Sequence, residues 1–530
     1  MPSAFPLVRN VAALRGGQTF DVLVIGGGIY GAWTAYDAAQ RGLSVALVER
    51  SDWASATSSS SSKLIHGGLR YLEHYEFKLV RHALGERRVL SQIAPQLVRP
   101  LNFLVPVWRG ARVGRLQLLA GLTLYDFLAT GKQPVPRYKS YSRRRLRDLY
   151  PYLKQDGLRG GLRYGDCQED DARMTLMVVA AAQAEGAICA NRVKATALIE
   201  AKGVVAGARL HDEESGENFT IHARAVVNAA GPWARELLGK SAPPVKLIKG
   251  SHLILPAIPG CTEAFLLGAT RDERVFFVIP WYGRTLVGTT ESEVADPAQA
   301  VVTPEETRYL LEAVNFRLPG LHWSEADILG SYSGVRSLQP EDTGDLSSVT
   351  REFIILEPKP GLIMPLGGKF TTGRCDSIEI VDRVFEVLQK DLVPSKTHTR
   401  LLPGAPINDF TGWQSEAVSA LTDRGFDPEA AFWLALRHGT HLPRLFELFG
   451  ENKHWRERIH PQAPFLKAEA IVAVRDEMAR TLTDVVRRRM PLALVVRKEK
   501  DWLNEVARLI APELGWDATE RARQVNAALA

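Results

Sequence analysis

The chain has 530 residues, with 66 Lys and Arg against 60 Asp and Glu and a net charge of +6. That length exceeds one hydrophobic core, so two or three domains are expected, and 45% hydrophobic with 24% charged residues is the balance of a globular chain. The basic balance suits nucleic acid, anionic lipid or an anionic substrate without choosing among them.

Cys167, Cys189, Cys261 and Cys375 are scattered with no CxxC pair, which argues against a disulfide framework, a thiol redox pair and a zinc or iron–sulfur centre. A reducing, cytoplasm-facing compartment fits this best. The first residues have no long apolar run and make a poor signal peptide. No stretch approaches the roughly 18 uncharged apolar residues of a spanning helix, so a membrane, if met, is met from its surface.

In chain order, Asp21 to Arg50 reads as strand, glycine turn, helix, strand and acid. Val22 to Ile25 is a β-branched apolar run without polar alternation, as expected for a strand buried on both faces. Gly26, Gly28 and Gly31 follow in the G-x-G-x-x-G spacing: the tight turn, the close approach of a pyrophosphate, and the packing of helix on sheet. The helix N-terminus offers N–H groups and a positive dipole end to phosphates. Val45 to Val48 form a second buried strand, and Glu49 at its end can accept from an adenosine ribose while repelling a 2′-phosphate, which selects FAD or NAD over NADP.

Ser51 to Ser62 carries five consecutive serines. Composition alone suggests a flexible linker, but its place directly after a nucleotide-binding strand favours a loop lining the cofactor. Phe77 to Ile93 reads as a helix with Glu86, Arg87 and Arg88 on its solvent side. Val113 to Ala129 is apolar apart from Arg115 and Asp126, a buried cap helix or a surface helix that touches lipid. Arg143 to Arg147 is a basic knot expected to be a solvated face. Arg173 to Glu185 looks helical, and strands are expected near Val193 to Ile199, Val204 to Leu210 and Ala225 to Asn228. The last ends in the small-residue turn Ala229 to Trp233. Further strands alternate between Lys246 and Thr290, and a glycine cluster from Met364 opens a helix from about Ser377. From about Thr397 helical periodicity dominates, and this part reads as a separate all-helical C-terminal domain.

A disulfide reductase of the pyridine-nucleotide class needs two dinucleotide fingerprints and a cysteine pair, and this chain has one fingerprint and no pair. The nucleotide segments are spread over residues 20–60, 225–235 and 360–375 with β-rich insertions between them. That layout suits FAD, whose length requires several segments, with electrons drawn directly from an organic substrate.

The run Thr57-Ser-Ser-Ser-Ser-Ser-Lys-Leu-Ile-His-Gly-Gly-Leu-Arg-Tyr-Leu-Glu-His-Tyr-Glu-Phe resembles the signature of the FAD-dependent, respiratory glycerol-3-phosphate dehydrogenase family. Asp170-Asp-Ala-Arg, Val227-Asn-Ala-Ala-Gly-Pro-Trp, Ile248-Lys-Gly-Ser-His, Phe277-Val-Ile-Pro-Trp, Val287-Gly-Thr-Thr, Tyr332-Ser-Gly-Val-Arg and Gly367-Gly-Lys-Phe-Thr-Thr follow in family order over nearly the whole chain, and the segment from Ala473 resembles the family's helical end. Ser337 stands where the family commonly has Pro, and Gly373 where it commonly has Tyr. The expected fold is mixed α/β. A Rossmann-like FAD-binding domain of the glutathione-reductase/D-amino-acid-oxidase type covers 18–75, 160–245 and 330–392. A β-rich substrate cap covers 76–159 and 246–329, and the helical domain covers 397–530.

The resemblance implies noncovalent FAD held by Gly26, Gly28, Gly31, Glu49, Thr57, Ser58, Ser61, Lys63, Ala230, Gly231, Gly334, Gly368, Lys369 and Thr371, with no metal. It implies a phosphomonoester dianion, glycerol 3-phosphate, bound by Arg70, Tyr71, Arg336 and Lys369; Arg offers a planar fork and Lys a point charge. Oxidation at C2 releases a hydride and the hydroxyl proton. His252 on the substrate side and His66 on the flavin side are candidate bases, with Arg336 as an alternative proton relay in a basic cluster that favours the alkoxide. Lys369 and the helix start after Gly368 suit an anionic reduced flavin. The acceptor implied is a quinone, which places the protein peripherally on the inner face of the cytoplasmic membrane, with a homodimer as an open assembly. No nucleic-acid-binding motif is present. The rival readings are an oxidase of the same substrate that uses oxygen, an amine or amino-acid oxidase, and a non-catalytic flavin- or lipid-binding protein.

Overall fold

The computed structural model describes residues 4–340, 352–407 and 409–530. Part of the expected segment 330–392, residues 341–351, therefore lies outside the described residues.

The buried run that opens the sequence analysis is the strand Thr19–Ile25 at the middle of an eight-stranded sheet. It pairs in parallel with Val45–Val48 on one side and Asn218–Asn228 on the other, so that Val24 lies beside both Leu47 and Val227. Period-2 alternation assigns its side chains to two cores. Val22 and Val24 face the helices Ile29–Gln40, Asp171–Ala184 and Gly373–Leu388, while Leu23 and Ile25 pack against Leu210, Ile221 and Val226 on the opposite face. Burial on both faces is why no polar residue interrupts the run. The helix expected from about Ser377 begins one turn earlier, at Gly373.

The second sheet has ten strands among the described residues, drawn from Leu64 to Gln168 and from Lys246 to Leu338. Three registers in it matter for the site. In the antiparallel pair Lys246–Pro256 and Gly330–Leu338, Ile248 faces Arg336, Gly250 faces Gly334 and His252 faces Tyr332. The short strand Leu64–Ile65, which continues directly from the serine run, pairs with Leu158–Gln168 in this same sheet. The serine run thus bridges the two sheets.

The helix Phe77–Ile93 forms over the expected residues, but the expected solvent face is corrected for two of its charges. Glu86 and Arg87 are buried. Arg374 Nε donates to Glu86 Oε2 at 2.8 Å, and Arg87 Nη1 donates to Asp166 Oδ1 at 2.6 Å and to the Gly165 carbonyl at 2.8 Å. These two charges are tolerated in the interior because each meets an opposite charge in hydrogen-bonding geometry.

The expected helical C-terminal domain is present, with helices from Phe410–Thr422 to Ala518–Leu529, and it packs against the second sheet. Phe465, Leu482, Val485 and Leu492 share one apolar cluster with Ile254, Trp281 and Tyr332 of the second sheet. Asp52, three residues past Glu49 and fully buried, receives Arg488 Nε at 2.7 Å, Arg489 Nη1 at 2.8 Å and Arg489 Nη2 at 2.9 Å. Burial pushes this carboxyl up, but Arg489 and Arg488 outweigh it and hold it well below the usual Asp range.

A depressed native pKa contributes stability that is complete above the unfolded value of about 3.9 and is lost as pH falls below it. Asp52→Asn removes the carboxylate that Arg488 and Arg489 share, leaving Arg488 to Asp484 and Arg489 to the more distant Glu477, a loss on the order of 1–3 kcal/mol. Thermal unfolding followed across pH 3 to 7 should show a lower midpoint for the variant at neutral pH and a shallower acid-side decline. Parallel curves for the two proteins would contradict this.

Candidate functional site

A cavity of about 540 Å³ opens where the two sheets meet. The first sheet contributes Gly26, Gly28 and Glu49 from the fingerprint, Ala230 and Gly231 after the strand Asn218–Asn228, and Gly368, Lys369 and Thr371 before the helix Gly373–Leu388. The serine run contributes Thr57, Ser58 and Ser61. His66, Arg70, Tyr71, His252, Gly334 and Arg336 line it from the second sheet and the turn leading into it, and of the predicted set only Gly31 and Lys63 do not line it.

The fingerprint turn is forced by close contacts. Gly26 has φ of +112°, and a Cβ there would lie 2.5 Å from the Ala229 carbonyl oxygen. A Cβ on Gly31 would lie 1.9 Å from the Gly26 carbonyl oxygen, so Gly31 serves the seating of the helix and does not line the cavity. Glu49 Oε2 accepts the Gly27 N–H at 2.7 Å and Oε1 accepts the Ser51 N–H at 2.8 Å. Burial raises its pKa, and these two N–H bonds pull it back. The carboxylate is therefore both a member of the cavity wall and the brace of the turn beside it.

The serine run is pinned, not flexible. Ser61 donates through its backbone N–H (3.0 Å) and its hydroxyl (2.7 Å) to Asp171 Oδ2, Thr57 Oγ1 donates to the Val335 carbonyl at 2.6 Å, and Tyr332 OH donates to the Ser61 carbonyl at 2.7 Å. Lys63 lies behind this loop, 1% exposed, with Nζ 2.6 Å from Asp171 Oδ1 and 2.7 Å from the Ser59 carbonyl oxygen. It does not line the cavity, so its place in the predicted cofactor set is corrected: its ammonium is committed to holding the loop.

The turn before the helix Gly373–Leu388 is held from the fingerprint helix. Tyr30 OH accepts the Lys369 N–H at 3.1 Å and donates to Asp376, while Thr372 Oγ1 donates to the same carboxylate at 2.7 Å. Burial raises the Asp376 carboxyl to about 6. A Cβ on Gly368 would lie 1.8 Å from the Tyr30 oxygen, and its φ of +77° also calls for glycine.

His252 is buried, with Nε2 2.8 Å from Ser62 Oγ and its ring stacked on Tyr332 at 4.8 Å between centroids. Burial, then Arg336 and Lys63, push its pKa well below the ordinary value, so the imidazole is neutral at neutral pH. The His66 ring lies edge-on to Phe277 at 6.2 Å, and the His66 backbone N–H donates to Thr371 Oγ1 at 3.3 Å. Lys369 Nζ sits 3.5 Å from the centre of the Tyr71 ring. Arg336 Nη1 and Arg70 Nη2 lie 3.5 and 3.9 Å from Glu291 Oε1.

Sequence reasoning missed Arg274 and Glu291, which also line the cavity, with Arg274 Nη1 donating to the Glu291 carbonyl at 3.2 Å. The signal was present: Glu291 directly follows Val287-Gly-Thr-Thr, and Arg274 directly precedes the strand Val275–Trp281. Tyr30 was missed because it occupies a variable position of the fingerprint.

The wall therefore offers a dinucleotide what it requires: a glycine turn and helix N-terminus for a pyrophosphate, a carboxylate at the neighbouring strand end, hydroxyls of the serine run, and a glycine–lysine turn opposite. The fold and site define a flavin-dependent oxidoreductase. A family model described as FAD dependent oxidoreductase matches residues 21–372, and one described as the C-terminal domain of alpha-glycerophosphate oxidase matches residues 395–521. A glycerol-3-phosphate dehydrogenase of Pseudomonas aeruginosa is 38% identical over 90% of this chain and 92% of its own length. One of Synechocystis sp. is 34% identical over 98% of this chain and 96% of its own. The solved structure of the glycerol-3-phosphate dehydrogenase from Bacillus halodurans, complexed with FAD, superposes with a TM-score of 0.79 at 29% identity, covering 99% of this chain and 97% of that one. The chain belongs to the FAD-dependent glycerol-3-phosphate dehydrogenase family.

Glu49→Ala should weaken FAD retention by about 1.5–3 kcal/mol, the range for a hydrogen bond to a charged group. That corresponds to roughly tenfold to a hundredfold in affinity. Dialysis followed by the flavin-to-protein absorbance ratio reads this directly; full occupancy in the variant would count against Glu49 as a cofactor contact.

Proposed function

We propose that this protein oxidises sn-glycerol 3-phosphate at C2 to dihydroxyacetone phosphate and passes the electrons to a membrane quinone. The observation that carries the reading is the convergence of Arg70, Arg336 and Lys369 with a neutral, buried His252 in the cavity that also holds the dinucleotide fingerprint. FAD, when bound, supplies the two-electron acceptor for the hydride that leaves C2.

The cations bind the phosphate dianion. Arg70 and Arg336 are suited to fork-like pairing with phosphate oxygens, Lys369 adds a point charge, and Tyr71, whose ring lies under that ammonium, adds a hydroxyl. His252 takes the C2 hydroxyl proton. With its own proton on Nδ1, Nε2 is an acceptor turned to Ser62 Oγ, which also lines the cavity and can relay the proton. An imidazolium at this depth is costly, and Arg336 adds to the cost, so His252 holds the proton only briefly. The same cations favour the alkoxide that forms as the proton leaves.

Two features support work at a membrane surface on the inner face of the cytoplasmic membrane. The helix Arg115–Leu128 buries Leu118, Leu122 and Tyr125 but leaves Leu116 82% and Phe127 81% exposed. The nearby basic helix Arg143–Leu149 is exposed along Arg143, Arg144, Arg145 and Arg147. An apolar ridge beside a basic one is the composition of an interfacial contact. No helix among the described residues is long and apolar enough to cross a membrane. An oxidase giving electrons to oxygen remains the rival reading, separated by hydrogen peroxide yield under air.

Arg336→Ala should keep its flavin and lose kcat/KM for glycerol 3-phosphate by about 2–4 kcal/mol of transition-state binding, some thirtyfold to a thousandfold. Arg336→Lys should recover little, because the fork is lost. Near-normal kcat/KM in the Ala variant would remove Arg336 from the phosphate site.

Flotation with anionic liposomes at low salt should carry the protein upward, salt should reverse this, and Leu116→Ser with Phe127→Ser should abolish it. Protein that stays at the bottom of the gradient and reduces quinone equally well without lipid would make a lipid-independent oxidase the better account.

A further inference from the structure

Two of the cations that the substrate reading uses, Arg70 and Arg336, converge on a carboxylate that it does not use. The side chain of Glu291 is 3% exposed, and the residue belongs to the cavity wall. Its Oε1 lies 3.5 Å from Arg336 Nη1 and 3.9 Å from Arg70 Nη2. The three residues come from separate places in the chain: Arg70 from the 3₁₀ turn Leu69–His74, Arg336 from the strand Gly330–Leu338, and Glu291 from the segment after the strand Arg284–Gly288. Arg274 Nη1 holds the Glu291 backbone at its carbonyl, 3.2 Å away, so the carboxylate is presented from a fixed point. Both Oε1 distances exceed the ~2.7–2.9 Å of a full charge-assisted hydrogen bond. The contact is a loose one, close enough to orient two guanidiniums and long enough to yield to a better anion.

A site built only of cations would hold any small dianion. It would take inorganic phosphate and sulfate along with the substrate, and it would hold the product, which carries the same phosphate, as tightly as the substrate. Binding both equally well does not speed turnover. A fixed negative charge among the cations loosens the hold on every phosphate-bearing anion, product included, because like charges held close together repel.

We propose that Glu291 is a positioning counter-ion of the phosphate site: it orients Arg70 and Arg336 before binding, opposes the incoming dianion, and thereby lowers occupancy of the site by inorganic phosphate and speeds product release. This rests on the substrate reading given above. The repulsion falls on both anions alike: a phosphomonoester keeps useful affinity through the contacts of its carbon chain and hydroxyls, while inorganic phosphate, with the phosphate contacts alone, leaves the site largely open.

The test is titration of the holoenzyme with inorganic phosphate, followed by the flavin difference spectrum, for the wild type and Glu291→Gln, together with steady-state kinetics on glycerol 3-phosphate. Glu291→Gln should bind inorganic phosphate about tenfold more tightly, and KM and kcat should fall together as release slows. A purely structural role moves affinity the other way, so equal or weaker phosphate binding in the variant overturns the proposal. A crystal structure of the wild-type holoenzyme with inorganic phosphate tests the same claim without a variant. Phosphate on Arg336 should come with a lengthened Arg336–Glu291 separation, and phosphate there with the separation unchanged overturns it. If the wild-type flavin is neither perturbed by phosphate nor reduced by glycerol 3-phosphate, the substrate reading itself fails, and this is visible before any variant is made.

Discussion

Asp171 is the carboxylate on which the two halves of the site depend. It opens the helix Asp171–Ala184 behind the first sheet, and it receives both Lys63 Nζ and the N–H and hydroxyl of Ser61. Lys63 leads straight into Leu64–Ile65, an edge strand of the second sheet. One buried ion pair therefore fixes the loop that crosses from the nucleotide-binding sheet to the substrate-side sheet. Desolvating both charges is unfavourable in itself, and the hydrogen bonds from Ser61 and to the Ser59 carbonyl offset that cost only in this one geometry. The consequence is a polar loop held in one conformation, which lines the cavity while the Lys63–Asp171 pair lies behind it.

The C-terminal helices complete the same arrangement from the other side. Arg487 Nη2 donates to the Ser59 carbonyl at 3.2 Å, and Arg488 and Arg489 bind Asp52. The loop between Glu49 and Lys63 is thus clamped by residues more than 400 positions away in the chain, such as the pair Asp52 and Arg488, separated by 436. Among the described residues the C-terminal helices hold the loop that lines the cavity without lining it themselves.

Local physics made much of this readable in the sequence. The run Val22 to Ile25, the glycine spacing and Glu49 are dictated within one βαβ unit, and the helix Phe77–Ile93 follows from periodicity. Motifs also located Arg70, Arg336, Lys369 and His252, because these residues sit in short segments whose order is itself a signature. What was not legible was the partner of each charge. Glu86 and Arg87 look like surface residues until Arg374, 288 positions away, and Asp166, 79 away, are seen to meet them. Lys63 stands in the middle of the cofactor motif, yet it turns inward because Asp171 is behind the loop. Arg274 and Glu291 adjoin segments that the motifs mark, but only strand pairing in the second sheet shows that those segments meet at the cavity.

The account as a whole holds that one cavity joins a flavin site to a site for a phosphorylated alcohol. Anaerobic stopped-flow of the flavin-loaded protein against glycerol 3-phosphate, glycerol and lactate tests that union directly. Glycerol 3-phosphate should bleach the flavin absorbance in a fast, saturable phase, while glycerol and lactate at the same concentration leave it oxidised, because neither brings a dianion to the Arg70, Arg336 and Lys369 cluster. Bleaching by glycerol or lactate at a comparable rate, or no bleaching by glycerol 3-phosphate, would contradict it.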